Sequence, residues 1–153
     1  MRHLFDPLRR SGPGLLVLFV VSVAGCQRMQ LTQPADPDAG LPPLQFPEEA
    51  PLGDDLDIVV IRDRRTIMLA NRTPRSYTGH MLWLNREYVA RINAIGVGTG
   101  NRGELLQFRN HHGESYPVAT LLAPDRSERL VSADLIEPVT GRRHRLTVRT
   151  EPE

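Results

Sequence analysis

The sequence is poor in residues that make covalent or metal cross-links. Cys26 is the only cysteine among 153 residues, which excludes a disulfide within the chain and a Cys-based metal site. Lysine is absent, so all 19 basic residues are arginine. We therefore expect the folded part of the chain to be stabilised by its apolar core alone.

Long apolar runs and net charge are also lacking. The apolar run at residues 14–23 is about half as long as the roughly 20-residue helix that crosses a bilayer, which argues against a permanent membrane span. The three Arg and one Asp that precede Cys26 leave 16 basic and 17 acidic residues after it. This near neutrality gives no reason to expect nucleic acid as a partner.

Residues 1–25 have the layout of an export signal, with Arg2, Arg9 and Arg10 before the apolar run and small residues after it. The motif Val23-Ala24-Gly25-Cys26 resembles the lipobox of bacterial lipoproteins. That resemblance implies cleavage between Gly25 and Cys26, and a lipid on the thiol of Cys26 that anchors the chain to a membrane. The alternative is an ordinary export signal with a cysteine at its end by chance.

The residues after Cys26 predict a cell-envelope location and a spacer. Gln27 stands where an Asp would favour retention in the inner membrane of enterobacteria, so the outer membrane is the expected location. Residues 27–53 hold six of the 13 prolines and scattered acidic residues, a composition that cannot bury enough surface to fold. We therefore predict a lipidated cysteine and disordered tether at residues 26–53, and one folded domain at residues 54–153.

The domain shows short apolar runs separated by turn residues, with no sustained helical period. The runs that we predict to be strands are 57–61, 66–70, 81–84, 87–92, 104–108, 118–123, 129–136 and 144–150. This pattern predicts an all-β fold, namely a small antiparallel β-sandwich of the immunoglobulin or fibronectin III type, with a small β-barrel as the alternative. Trp83 is expected in the core of that domain.

Residues 67–88, IMLANRTPRSYTGHMLWLNREY, resemble a recurring segment of small uncharacterised planctomycete lipoproteins. The shared features are an N-R-T-x-R-S-like turn and a W-x-N hairpin. The resemblance implies the same order of signal, proline-rich spacer and β-rich domain, and it implies no activity.

Two motifs suggest a chemistry that the surrounding sequence does not support. The run from Gly98 to Gly103 matches a dinucleotide-binding fingerprint, but no helix is predicted after it, so we expect an inter-strand loop. His111 and His112 are adjacent and should point to opposite faces of an extended chain. A metal or catalytic site would need the fold to bring them together with His80 or His144.

The last predicted strand carries a cluster of arginines. Arg143, Arg145 and Arg149 should share one face, with Arg142 beside them, and such a face could meet a phosphate-bearing glycolipid or an acidic envelope protein. A solvated or edge-guarding face is the alternative. We therefore expect a non-catalytic binding or assembly module without a cofactor. The alternative function is a metal-handling protein or enzyme that uses His80, His111, His112 or His144.

Overall fold

The computed structural model describes residues 45–150, apart from the side chain of Thr150. These residues form nine β-strands and one 3-10 helix at Leu105–Gln107. The strands are β1 (Ile58–Asp63), β2 (Thr66–Asn71), β3 (Tyr77–Thr78), β4 (Met81–Leu84), β5 (Tyr88–Arg91), β6 (Ala94–Ile95), β7 (Gly98–Glu104), β8 (Ala133–Ile136) and β9 (Arg143–Thr150). Since this part of the chain contains no α-helix, the all-β prediction is confirmed.

Seven strands form one sheet in the order β5-β4-β8-β9-β1-β2-β7, which curls into a half-barrel, and β3 and β6 form a separate pair. The first and last strands lie side by side at its centre and run parallel, with Val59 opposite Thr147. Parallel neighbours require a long crossover, and here nearly the whole domain lies between them. The prediction of purely antiparallel pairing is wrong at this pair, and the curled sheet is closer to the barrel alternative.

The main core lies on one face of the curled sheet. Alternate residues of the long strands point into it, among them Ile58, Val60, Leu82, Leu135 and Leu146. The connection from β7 to β8, residues 105–132, covers this face and contributes five more apolar side chains: Leu105, Phe108, Tyr116, Val118 and Leu130. An irregular segment therefore replaces the second sheet that a sandwich would have.

The loop between β4 and β5 is tied to this covering connection by Asn85. Its amide donates to the carbonyl of Arg129 (2.8 Å) and to the Glu128 carboxylate (2.6 Å), and its amide oxygen accepts from the backbone N–H of Val131 (2.8 Å). Asn85 has a φ of 54°, in the left-handed region that Asn tolerates better than most residues. One side chain thus joins the hairpin to the cover of the core.

The glycine-rich run, predicted to be a loop, is strand β7, and the strand predicted at 104–108 is mostly 3-10 helix. β7 pairs with β2 through a register shift between Leu69 and Asn71, and glycine in a strand often marks such an irregularity. Asn101 is buried there and donates to the carbonyls of Gly96 (2.9 Å) and Leu69 (3.2 Å). The strand predicted at 118–123 is also wrong, since it contains only a bridge from Thr120 to Ala123.

Residues 45–53, which we call the strap, lie against the sheet. Gly53 donates to the carbonyl of Arg143, and the Arg143 N–H donates to the carbonyl of Pro51, both at 2.9 Å. Leu52 thereby pairs with β9 in parallel. The predicted tether boundary at Gly53 is therefore too late, because proline can accept in a ladder although it cannot donate. The predicted export signal at residues 1–25, Cys26 and residues 27–44 lie outside the described residues.

Candidate functional site

The face opposite the main core carries a second, smaller apolar cluster. Trp83 in β4, Val89 in β5 and Ile136 in β8 are buried together, with Met81 and Phe46 packed against them. Trp83 is fully buried, as predicted, but it lies on this side of the sheet because it alternates with the core residues Leu82 and Leu84. We call this surface, from β5 across to the start of β9, the Trp83 face.

The strap covers the Trp83 face through one aromatic ring. The ring of Phe46 meets that of Trp83 edge to face, with centroids 5.4 Å apart and planes at 85°. The guanidinium carbons of Arg86 and Arg143 each lie 5.4 Å from the centroid of the Phe46 ring. Such edge-to-face and cation–π geometries are favourable, so Phe46 is held by an aromatic ring and two cations together.

A carboxylate of the strap faces the same two arginines. Glu48 Oε2 lies 3.6 Å from a terminal nitrogen of Arg86 and 4.0 Å from one of Arg143. The Glu48 side chain is 66% exposed, so this ion pairing is screened and contributes little to stability. The strap thus presents an aromatic ring and a loosely held carboxylate to the Trp83 face.

Arg143 is the most unusual residue of this face. It is 7% exposed, although arginine is rarely this buried without a partner. Its Nε and one terminal nitrogen are buried without a hydrogen-bond partner among residues 45–150, and the same is true of Trp83 Nε1. This face therefore has more buried donors than the strap has acceptors for them. Each buried donor without an acceptor costs about 1–3 kcal/mol.

Asp134 supplies a buried negative charge on the same face. It lies in β8 between Trp83 of β4 and Arg145 of β9, and it is 3% exposed. Burial raises the pKa of Asp134 above its usual range, and the positive charges of Arg143, Arg86 and Arg145 oppose that rise. The face therefore combines a carboxyl group whose charged form is disfavoured by burial with a buried arginine that lacks hydrogen-bond partners for two of its nitrogens.

The predicted arginine face is present only in part. Arg143, Arg145 and Arg149 do share one side of β9, as the alternation requires. Arg145, Arg149 and the neighbouring Arg142 are exposed, but the strap covers Arg143, so the four do not form one open surface. The arginine that joins Arg143 at the Phe46 ring is Arg86, which comes from the loop between β4 and β5.

Sequence reasoning missed Arg86, Phe46 and Glu48 as site residues. Arg86 has a φ of 58° in the tight loop after Trp83, and the alternation of side chains along a strand does not predict where the side chain of such a loop residue lies. Phe46 and Glu48 were assigned to the tether because prolines surround them. The available signal was Phe46 itself, a large aromatic that a solvated spacer does not require.

The four candidate histidines lie in two places. His111 and His112 share a tight turn between Asn110 and Glu114, and their rings are 3.6 Å apart. The expectation that they point to opposite faces is wrong, because that rule holds only for extended chain. They are distant in sequence from the second pair, His80 and His144, which lies at one end of the sheet.

His80 and His144 are each fixed by a backbone carbonyl. The Nδ1 atom of His80 lies 2.9 Å from the carbonyl oxygen of Thr78, and that of His144 lies 2.8 Å from the carbonyl oxygen of Asp54. Burial lowers the pKa of His80, while the nearby Glu137 opposes that shift. Within residues 45–150, no group of three or more His, Cys, Asp or Glu is arranged to hold a metal ion.

A second exposed feature is the loop that carries the Thr120–Ala123 bridge. Its tip exposes Leu121 and Leu122 at 99% and 95% of their surface.

None of the helical segments in the described part of the chain has the length and apolar character to cross a bilayer.

Comparison with known proteins returned no match of this chain to a protein-family model, a curated protein or a solved structure.

Proposed function

We propose that the chain is an exported bacterial lipoprotein, anchored to the cell envelope through a lipid on Cys26, whose β-domain is a non-catalytic binding module. The observation that carries the anchor is the motif Val23-Ala24-Gly25-Cys26, in which the only cysteine stands where acylation requires it. Two or more acyl chains give a durable anchor. The outer membrane is the proposed location.

The Trp83 face supports the binding role. It places an aromatic cluster beside Arg86 and Arg143, and aromatic residues with arginine are the types enriched where proteins recognise partners. Its buried donors without acceptors are consistent with a surface that has a further occupant. We propose an envelope protein as the partner, and nucleic acid is not expected.

The strap connects the anchor to this face. Residues 45–53 of the tether proposed from the sequence lie against the sheet and add nothing to its reach, which leaves residues 27–44 to supply it. At about 3.1 Å per residue in polyproline conformation, those 18 positions would span at most about 56 Å. The binding face would then lie within that distance of the membrane to which Cys26 is attached.

Mass spectrometry of the mature N-terminal peptide tests the anchor. We expect the wild-type chain to begin at Cys26 with acyl mass attached, and Cys26→Ser to lose that processing because oxygen cannot form the thioether. Ser22→Ala is the matched control, since it leaves Cys26 and the three residues before it intact. An unmodified Cys26, or a mature N-terminus elsewhere, would refute the lipoprotein proposal.

Photo-crosslinking in whole cells tests the binding role. A photoreactive residue at Arg145, exposed beside Asp134, should give a discrete protein adduct. The control position is Arg102, exposed on β7 at the sheet edge remote from β4 and β5. Equal adducts from the two positions, or none from Arg145, would count against a binding role for the Trp83 face.

A further inference from the structure

We infer that the Trp83 face is the docking site for a short segment of a partner protein that carries an aromatic residue close to a carboxylate, and that the strap is its resident intramolecular occupant. This inference rests on the proposed function, because it names the partner chemistry of that binding module. It goes further by assigning the strap to the same site as a competitor.

The strap shows what this site accepts. Phe46 packs against Trp83, and its ring centroid lies 5.4 Å from the guanidinium carbon of each of two arginines, a position that favours an aromatic ring. Glu48 follows two residues later and faces the same arginines. An aromatic ring with a nearby carboxylate is thus the chemistry that the face selects from its own chain.

The fit of the strap is incomplete at the buried cation. Glu48 Oε2 is 4.0 Å from Arg143, beyond hydrogen-bond distance, and no other residue of 45–150 accepts from Nε of Arg143 or from Nε1 of Trp83. A segment that places an acceptor about 2.9 Å from these donors would satisfy groups that the strap leaves unpaired. Charge-assisted bonds of that kind are about twice as strong as neutral ones.

This incomplete fit favours a different protein over a second copy of the chain. A second copy would bring the same Phe46 and Glu48, and with them the same unsatisfied donors, if its strap sat as this one does. A partner whose carboxylate is placed differently relative to its aromatic residue would gain the missing bonds. The observations therefore favour a partner segment of related but not identical sequence.

The part of the strap that covers Trp83 can leave without opening the sheet. In the described part of the chain, the backbone hydrogen bonds between strap and sheet involve Pro51 and Gly53, whereas those of Glu48 and Ala50 stay within the strap. Phe46 and Glu48 are held through their side chains. Displacement of Phe46 and Glu48 by a partner segment would therefore leave the pairing of Leu52 with β9 in place.

The test uses the full chain purified in detergent and the fluorescence of Trp83, its only tryptophan. Phe46→Ala should shift Trp83 emission to longer wavelength and increase its quenching by acrylamide, because the covering ring is removed. Glu49→Gln is the matched control: Glu49 is exposed on the same strap, and no ion pair of the described residues involves it. Its spectrum should equal that of wild type.

Binding is then measured with synthetic peptides. A peptide of the strap sequence, QFPEEAPL, should restore shielded emission in Phe46→Ala and bind wild type much more weakly, because the attached strap competes at a millimolar effective concentration. Replacing its Phe by Ala should weaken binding by about tenfold, equivalent to about 1.4 kcal/mol. Replacing its first Glu by Gln should weaken binding by about fivefold or less, because the Glu48 ion pairs are exposed. In a panel that moves the carboxylate along the peptide, at least one member should bind about tenfold more tightly than the native sequence.

Five results would overturn the inference. Two concern the variant itself: loss of the folded circular dichroism spectrum in Phe46→Ala would make Phe46 an integral core residue, and a wild-type dimer that Phe46→Ala abolishes would make the occupant a second copy. Two concern the peptides: no recovery of Trp83 emission with any of them, or tightest binding by the native strap sequence. The fifth is equal recovery of emission with inorganic phosphate, which would mean that the face recognises charge alone. Repeating the titration in the Cys26→Ser background separates the two proposals. Peptide binding that persists there supports the docking site whether or not Cys26 proves to be acylated.

Discussion

Trp83→Ala is the most direct test of how the Trp83 face contributes to stability. Trp83 is fully buried between Val89, Ile136 and the ring of Phe46, so its removal leaves a cavity as well as losing apolar burial. Removal of a large buried aromatic costs about 3–5 kcal/mol. We expect the lower half of that range, about 3–4 kcal/mol, because the strap can move partly into the space and because Nε1 of Trp83 has no partner in residues 45–150.

That loss is a large fraction of the 5–15 kcal/mol by which domains of this size are stable. At about 4–8 °C per kcal/mol for a domain of roughly 100 residues, 3 kcal/mol lowers the Tm by about 12–24 °C. Thermal unfolding followed by circular dichroism measures this directly, since the variant has no tryptophan fluorescence. Leu121→Ala, at a fully exposed loop tip, is the control and should change the Tm little. A Tm of the Trp83→Ala protein equal to that of wild type would refute the assignment of Trp83 to a packed cluster.

Three further changes test other contacts. Asn85→Ala removes the five hydrogen bonds of the Asn85 side chain and leaves a residue with a φ of 54°, so urea denaturation should show a loss of about 2–3 kcal/mol; a loss below 0.5 kcal/mol, the usual range of surface changes, would contradict this role. Gly53→Ala places a Cβ against the His144 ring, which is held by the carbonyl of Asp54, and should cost about 1–3 kcal/mol in the same denaturation experiment; an unchanged midpoint would contradict this close approach. Because burial raises the native pKa of Asp134 above 3.8, its protonated form contributes stability at low pH that is lost as the pH rises from 3.8 through the native value. Asp134→Asn should therefore gain stability relative to wild type over that window in urea titrations at stepped pH, and a constant difference would exclude the linkage.

Local alternation in the sequence was a sound guide to the strands. The predicted run 144–150 corresponds to β9 at Arg143–Thr150, and 81–84 corresponds to β4 at Met81–Leu84, because apolar and polar residues alternate there or the run is short and bounded by turns. The same reasoning failed at β7, because the glycines between Gly98 and Gly103 are typical of turns and loops. It also failed at 118–123, where apolar residues serve an irregular cover instead of a strand.

The candidate site was only partly accessible to sequence reasoning. Side-chain alternation placed Arg143, Arg145 and Arg149 on one side of β9, but it could not tell that a proline-rich segment nearly 100 residues earlier would cover one of them. It also could not tell that Trp83 faces away from the main core, since both sides of β4 bury apolar side chains. Both points depend on pairing between segments that are distant in the sequence, and such pairing leaves no periodic pattern in a single sequence.

The position of β9 at the middle of the sheet has a consequence for how the protein is made. β9 is the last strand among the described residues, and it joins the group β5-β4-β8 to the group β1-β2-β7. A chain whose synthesis has not yet reached β9 lacks this joint, so each group would hold only three strands with an open edge and an incomplete core. The full sheet therefore cannot form before β9 has been synthesised, and contacts of such high sequence separation form slowly. A domain that stays unfolded for that time remains suitable for threading through a narrow export channel, which is the route that its proposed signal would require.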